Sequence, residues 1–204
     1  MPNQEFSFND VVGIRSEENG YKTAKIILNG EYSEGVGGGV CQVSTTLYNC
    51  ALVSGLKITE HHRHSLNVGY IEPSFDAMVN SYTSDLKFVN TTAKNVYILS
   101  YTTDNSITFS IYGEKQLENY ERVSIIKEEI SPDELEYIED ENLIYGQTKI
   151  LQEPKSGIIS EGYLIKYLNG ERVSNILLRK DTYKSVRGKT LIGKNKGDNI
   201  IDKT

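Results

Sequence analysis

The sequence predicts an α+β N-terminal domain, with one central helix packed on a mainly antiparallel sheet, followed by a small all-β domain. Three observations predict it. Val43, Leu47, Cys50, Ala51 and Ser54 recur at spacings of three and four, while Gln42, Thr45, Thr46 and Asn49 fall on the other side, the pattern of an amphipathic helix. Elsewhere, runs rich in Ile, Val, Tyr and Thr alternate with polar turns. After Gly113 the composition shifts, and glycines punctuate short β-like runs as far as Ile192. The domains are therefore set at residues 1–115 and 116–195, with a polar tail over 196–204 expected to fray.

In chain order, residues 24–28 (AKIIL) read as a strand entering a tight turn at Asn29-Gly30. Gly37-Gly38-Gly39 makes a flexible bend that feeds a helix beginning at Cys41, and Gly55 stands where that helix should stop. Leu56 to Thr59 can form a short strand. The runs 84–90, 95–101 and 106–112, separated by polar turns, predict an antiparallel meander. Residues 127–141 are crowded with Glu and Asp and contain Pro132, so they read as an acidic surface connection. Asn169-Gly170 between the runs 163–167 and 172–178 signals a hairpin. That half contains no cluster of His, Cys or acids of the kind a catalytic site needs, and reads as a binding or spacer module.

Composition narrows the function. The chain has 204 residues, fourteen tyrosines, no tryptophan and a net charge of −6, which argues against nucleic acid as a partner. No run approaches the ~18 apolar residues that cross a bilayer, and no secretory leader precedes Pro2. Phe6-Ser7-Phe8-Asn9 reads as the interior of a domain. On one helix Cys41 and Cys50 stand ~13 Å apart at ~1.5 Å per residue, too far for a disulfide. Cys50 shares the apolar stripe and reads as a core residue. Cys41 is left as an unpaired thiol.

The chemistry is expected at Cys41. A helix N-terminus carries partial positive charge and free N–H groups, which favour a thiolate and can hold an oxyanion. A nucleophilic cysteine needs a base and a group that orients it. The three histidines of the chain are His61, His62 and His64. In an extended segment His62 and His64 share a face, so either can approach Cys41; His64 is favoured, with His62 its competitor. Asp76 is the preferred orienter, ahead of Ser65 and Glu60. Burial of Cys41 for packing alone, and solvated imidazoles in a polar loop, are the plainer readings. A zinc site from Cys41, His62, His64 and Asp76 ranks lower, because the helical His-Glu-x-x-His spacing is missing. A phosphate loop is poorly supported, since no Gly-Lys-Ser/Thr follows the glycines. No cofactor and no metal are expected.

These residues resemble a known family. Phe6 to Asn9, Val12-Gly13, Gly20-Tyr21, Gly37 to Asn49, His62-x-His64-Ser65, Tyr70, Pro73 and Asp76-Ala77 together look like the VanW-like domain over about residues 2–113, with GGGVCQVSTTLYN the most specific stretch. Residues 120–195 are similar to the G-five module, a β-rich domain proposed to bind N-acetylglucosamine. The resemblance implies an exported protein of Gram-positive bacteria on the outer face of the cytoplasmic membrane or in the cell wall. It also implies an upstream membrane anchor, and peptidoglycan stem peptides and glycan as partners. It further implies a peptidoglycan L,D-transpeptidase that forms 3–3 cross-links through an acyl-thioester on Cys41. The alternatives are a cysteine carboxypeptidase or endopeptidase on the same stems, or a non-catalytic wall-binding protein. The expected oxyanion and substrate-binding set is Gly38, Gly39, Val40, Gln42, Ser44, Thr45, Ser65 and Tyr70. Two local departures stand out. His61-His62-Arg63-His64-Ser65 replaces Arg-His-Pro-His-Ser, and Glu72-Pro73-Ser74-Phe75-Asp76 replaces Pro-Pro-Gly-Arg-Asp.

Overall fold

Strand is the dominant element. The computed structural model describes residues 1–28 and 30–195, so Asn29 of the expected turn and the expected frayed tail 196–204 lie outside the described residues. The first part runs β1 (Glu5–Ser7), α1 (Phe8–Val12), a 3₁₀ turn (Glu17–Asn19), β2 (Thr23–Leu28), β3 (Glu31–Val36) and α2 (Val40–Val53). It continues with β4 (Lys57–Glu60), β5 (Lys87–Val89), β6 (Tyr97–Thr102) and β7 (Ile107–Tyr112). The second part is all strand: β8 (Glu118–Ile130), β9 (Glu136–Ile144), β10 (Thr148–Gln152), β11 (Gly157–Leu168), β12 (Glu171–Tyr183) and β13 (Lys189–Asn195).

The expected α+β class is corrected here. The described residues form a mostly β chain whose strands are divided among small separate sheets, in the orders β1-β5-β4, β2-β3, β6-β7, β12-β11-β8 and β10-β13-β9. No single sheet carries α2; the helix is instead wedged against strands of three sheets, β4, β7 and β8. The predicted meander also fails, because β5 pairs with β1 and β4 while β6 pairs with β7. The physical reason lies in the polar loops. Asn90 captures its own loop, accepting from the Thr92 amide at 3.0 Å and donating to the Lys94 carbonyl at 2.8 Å, which turns the chain away from β5.

Helix α2 begins one residue before Cys41, with Gly39 as its N-cap. It ends as its periodicity predicts: Gly55 adopts φ +71°, its N–H reaches the Leu52 carbonyl at 3.0 Å and that of Leu56 reaches Ala51 at 3.1 Å. That pair of bonds is a Schellman stop. The apolar stripe of the helix (Leu47, Ala51, Leu52) joins Phe8, Phe75, Leu86 and Phe88 in the core. Each such side chain contributes about 1.5–3 kcal/mol when fully buried.

In the second part β11 and β12 form the expected hairpin. Asn169 and Gly170 both take positive φ, +53° and +85°, as a type I′ turn requires. The acidic stretch 127–141 is not a loose connection, since β8 extends to Ile130 and β9 starts at Glu136. Alternation explains it: a strand can face its carboxylates to water or to lysines, as Glu139 does with Lys194 at 2.6 Å. Beyond β12 the chain folds back on the first part, where the Lys184 amide donates to the Ser65 carbonyl at 2.9 Å.

Candidate active site

The glycine bend presents Cys41 at the mouth of a cleft. Gly39 takes φ +92°, a left-handed conformation that glycine adopts without penalty. At Gly38 a Cβ would lie 2.5 Å from the Ala24 side chain, so only glycine lets the bend pack on β2. The Cys41 sulfur is partly exposed and points its hydrogen at the Val79 carbonyl, 3.4 Å away. Of the amides expected to hold an oxyanion, Val40 donates to Gly37 (3.2 Å) and Gln42 to Gly39 (2.9 Å). Among the described residues the amides of Gly38, Gly39 and Cys41 are the donors left over. Both cysteines are free thiols; the Cys50 sulfur lies 3.6 Å from the Phe109 carbonyl, and burial pushes that thiol's pKa up.

The three histidines have three different environments. His64 is buried, at 5 % exposure, and its Nδ1 donates to Asp76 Oδ2 at 2.7 Å, while its backbone amide donates to the same oxygen at 2.6 Å. An acceptor-only carboxylate on Nδ1 leaves Nε2 as the ring nitrogen available to Cys41, which lines the same cleft and is electrostatically coupled to His64. Burial works to lower the His64 pKa, but the Asp76 hydrogen bond and then Cys41 outweigh it and hold the imidazolium up to about 9. His62 turns away and pairs with Glu60 at 3.0 Å. Glu60 is held down at about 2 by Lys87 first and His62 second. His61 stacks on Tyr48 at 5.2 Å, and burial drives its pKa down to about 4.

Asp76 is brought to His64 by the polar side of α2. Ser44 donates to the Ala77 carbonyl at 2.5 Å, Thr45 accepts from the Ala77 amide at 2.9 Å, and Asn49 donates to the Phe75 carbonyl at 2.8 Å. The structure therefore places Ser44 and Thr45 beneath the cleft, pinning segment 75–77, and not along its walls. One helix thus carries the sulfur and also holds the strap that bears the carboxylate. Asp76 is 1 % exposed and its pKa is lowered: burial opposes ionisation, but the His64 bond, the Arg179 charge and the Tyr183 hydroxyl outweigh it. Tyr183 donates to Asp76 Oδ1 at 2.6 Å; Arg179 reaches the same oxygen at 3.3 Å and the Asp76 carbonyl at 2.9 Å. Sequence reasoning missed both partners. The signal was present: Arg179, Asp181 and Tyr183 alternate along one strand and share a face.

The cleft holds about 1250 Å³ and is lined by Gly39, Val40, Cys41, Gln42, Ser65 and Tyr70 together with His62 and His64. Tyr70 stands edge-on to His64 at 6.3 Å, and burial raises its hydroxyl pKa. In a chain of net charge −6, the described lining contains Arg15, Lys25, Arg63 and Lys184 and not one carboxylate. Among the described residues no group of three His, Cys, Asp or Glu is arranged to hold a metal ion.

A free thiol and a buried imidazole held by a carboxylate thus lie at one cleft on a small-sheet β scaffold, the residue types that a cysteine–histidine–aspartate site would need. Residues 1–112, more than half of the chain, match the family described as VanW like protein, and the chain belongs to that family. Residues 121–194 match the G5 domain. The chain is similar to the uncharacterized protein YoaR of Bacillus subtilis, 43 % identical over 113 residues, which is 55 % of this chain and 37 % of that protein. It therefore spans well under two thirds of that relative's length. Two solved structures are similar over part of the chain. The IgA1 protease G5 domain is 25 % identical, with a TM-score of 0.27, and the match covers 39 % of this chain and 92 % of that one. The HP0197 G5 structure is 21 % identical, with a TM-score of 0.21, over 37 % and 97 %.

Proposed function

We propose that this chain is a cell-wall-associated cysteine acyltransferase, a peptidoglycan L,D-transpeptidase acting outside the cytoplasmic membrane. The reading is carried by His64, held by Asp76 at 2.7 Å, in the cleft that Cys41 also lines, whose described lining has four cationic residues and no carboxylate. Membership of the VanW-like family and the adjoining G5 match support the cell-wall setting. The cationic lining suits an acyl donor rich in carboxylates, as a stem tetrapeptide is.

The chemistry follows from the protonation states. With His64 an imidazolium up to about pH 9, positive charge beside the sulfur stabilises the attacking thiolate. Thiolate attack on the diaminopimelate carbonyl forms a C–S bond and places negative charge on oxygen. The free amides of Cys41 and Gly39 would receive that charge; losing one such donor typically costs about 3 kcal/mol. The C–N bond to the terminal D-alanine then breaks, and the leaving amine takes the proton from His64. The side-chain amine of a second stem next attacks the thioester and gives its proton to neutral His64. The C–S bond breaks, the thiolate returns and a 3–3 cross-link remains.

Incubation with tetrapeptide muropeptides tests this reading. It predicts cross-linked dimers plus free D-alanine from the parent, and neither from Cys41→Ala. Trimmed monomers without dimers would make water the acceptor, and a Cys41→Ala variant as active as the parent would end the catalytic account.

A further inference from the structure

Asp76 sits on the first part of the chain, yet half of its carboxylate is satisfied by the second. Oδ2 is committed to His64 by two bonds. Every donor to Oδ1 comes from β12: Tyr183 at 2.6 Å and Arg179 at 3.3 Å, with Arg179 also on the Asp76 carbonyl at 2.9 Å. The Tyr183 hydroxyl accepts the Ser74 amide at 2.8 Å, so its own hydrogen is free for Asp76. Arg179 is fixed in turn by Asp181, 2.5 Å from its Nε, which leaves the far end of the guanidinium for Asp76. These groups are inside the molecule, Arg179 at 8 % side-chain exposure and Tyr183 at 1 %.

The seam around them is built for one register. Ser74 Oγ and Ser160 Oγ share a hydrogen bond of 2.7 Å, and Ser124 donates to the Pro73 carbonyl at 2.7 Å. Arg122 donates to Asn49, the same side chain that holds the Phe75 carbonyl. Gly162 comes so close that an added Cβ would lie 2.9 Å from the Ser74 side chain. A spacer module needs none of this at a buried carboxylate.

We propose that the C-terminal module completes the active site: Arg179 and Tyr183 are positioning residues that orient Asp76, and through it His64, so that thiol reactivity depends on the docked module. The proposal rests on the reading of Cys41 as nucleophile. A buried carboxylate stripped of its Oδ1 donors would rotate toward other partners or take up a proton. Either change releases the imidazole from its line with the sulfur. The charge of Arg179 and the Tyr183 bond both favour the ionised Asp76 that this line needs.

The test is the pH profile of Cys41 alkylation by iodoacetamide in the full chain, with peptide mapping to separate Cys41 from Cys50, and melting temperature measured alongside. Arg179→Gln should slow Cys41 alkylation at neutral pH about tenfold, the scale of one charge-assisted hydrogen bond, and shift the profile toward that of His64→Ala. Tyr183→Phe should do the same by about threefold, a smaller part of the same coupling. In a His64→Ala background neither change should slow the reaction further, because the path through the imidazole is already gone. Tyr163→Phe, which loses a bond to Glu161 on the outer side of the module, should match the parent. A lowered melting temperature with the parent's pH profile retained would overturn the proposal and leave only a structural seam. If Arg179→Gln does not fold, Tyr183→Phe decides by the same criterion. A parent Cys41 that reacts like an unassisted thiol would overturn the nucleophile reading, and this proposal with it; unshifted variants of a reactive parent overturn this proposal alone.

Discussion

The part of the chain up to Tyr112 and the part from Glu118 handle buried polar groups in opposite ways. The first has short strands and long loops, and Ser44, Thr45, Asn49, Ser74, Asp76, Asp85 and Asn90 are buried in or under those loops. All but Asn90, whose bonds stay within its own loop, are satisfied by a side-chain bond to a distant backbone group or side chain. The second has strands of up to thirteen residues whose backbones satisfy one another, and few buried polar side chains. The contrast separates two tasks. Irregular backbone can aim a side chain anywhere but depends on many individual bonds; a long hairpin is stiff but aims side chains only up or down. The candidate site uses both, since loop-borne Asp76 is gripped by the strand-borne Arg179 and Tyr183.

The contrast can be broken at several points. Asp76→Asn strikes it hardest. An amide in place of the acceptor carboxylate favours the wrong imidazole tautomer, and turnover should fall by about 10²–10⁴ with muropeptide dimers as the readout. Retention of parent activity would show that the strap 72–77 is scaffolding and no more.

A pH titration of stability sharpens the comparison inside the first part. His64 rises from 6.5 to about 9 on folding, so its stabilisation is complete below pH 6.5 and disappears as pH climbs toward 9. His61 falls from 6.5 to about 4, so its neutral buried form costs stability as pH drops from 6.5 toward 4. Melting temperature should therefore peak near pH 6.5. His64→Gln should flatten the alkaline limb and leave the acid limb, whereas a parent curve flat from pH 6.5 to 9 would contradict the His64–Asp76 assignment.

Ser74 is one of the points where the two parts touch with little room. It adopts φ +67°, in a position where the family resemblance leads one to expect glycine. Its amide and hydroxyl, each bonded across the seam, compensate for that backbone. Ser74→Ala removes the hydroxyl bond and keeps the strain, while Ser74→Gly removes both. The alanine variant should be the less stable of the two by about 1 kcal/mol, measured by urea titration. Equal stabilities would mean that the left-handed turn is not retained. The smallest expected effect is in the cleft: Lys184→Glu should raise KM for stems bearing free carboxylates about threefold and leave amidated stems nearly unchanged, a screened surface effect.

Much of the site was legible because its signals are local. Three glycines before a cysteine, an i, i+3, i+4 stripe and a glycine stop are all written within twenty residues, and α2 forms with both ends within a residue of expectation. His64 and Asp76 were legible as types near the right place, and the family resemblance added weight to them. The sheet architecture was not legible, because pairing partners for three-residue strands are decided by loops. Asn90 and Asn80 cap those loops through bonds that no periodicity announces. Ser44 and Thr45 read as substrate contacts for a related reason: a polar residue beside a candidate nucleophile looks alike whether it faces the cleft or the strap below. Arg179 and Tyr183 stayed hidden because they lie more than a hundred residues from Asp76 in a half that shows no catalytic cluster of its own.

The central claim concerns one sulfur, and mass measurement reaches it most directly. The full chain mixed with a stem tetrapeptide and quenched in acid should gain the mass of the acyl group less D-alanine, mapped to Cys41 and absent from Cys41→Ala. An unmodified Cys41 beside newly formed cross-links, or an acyl group mapped to Cys50, would contradict it.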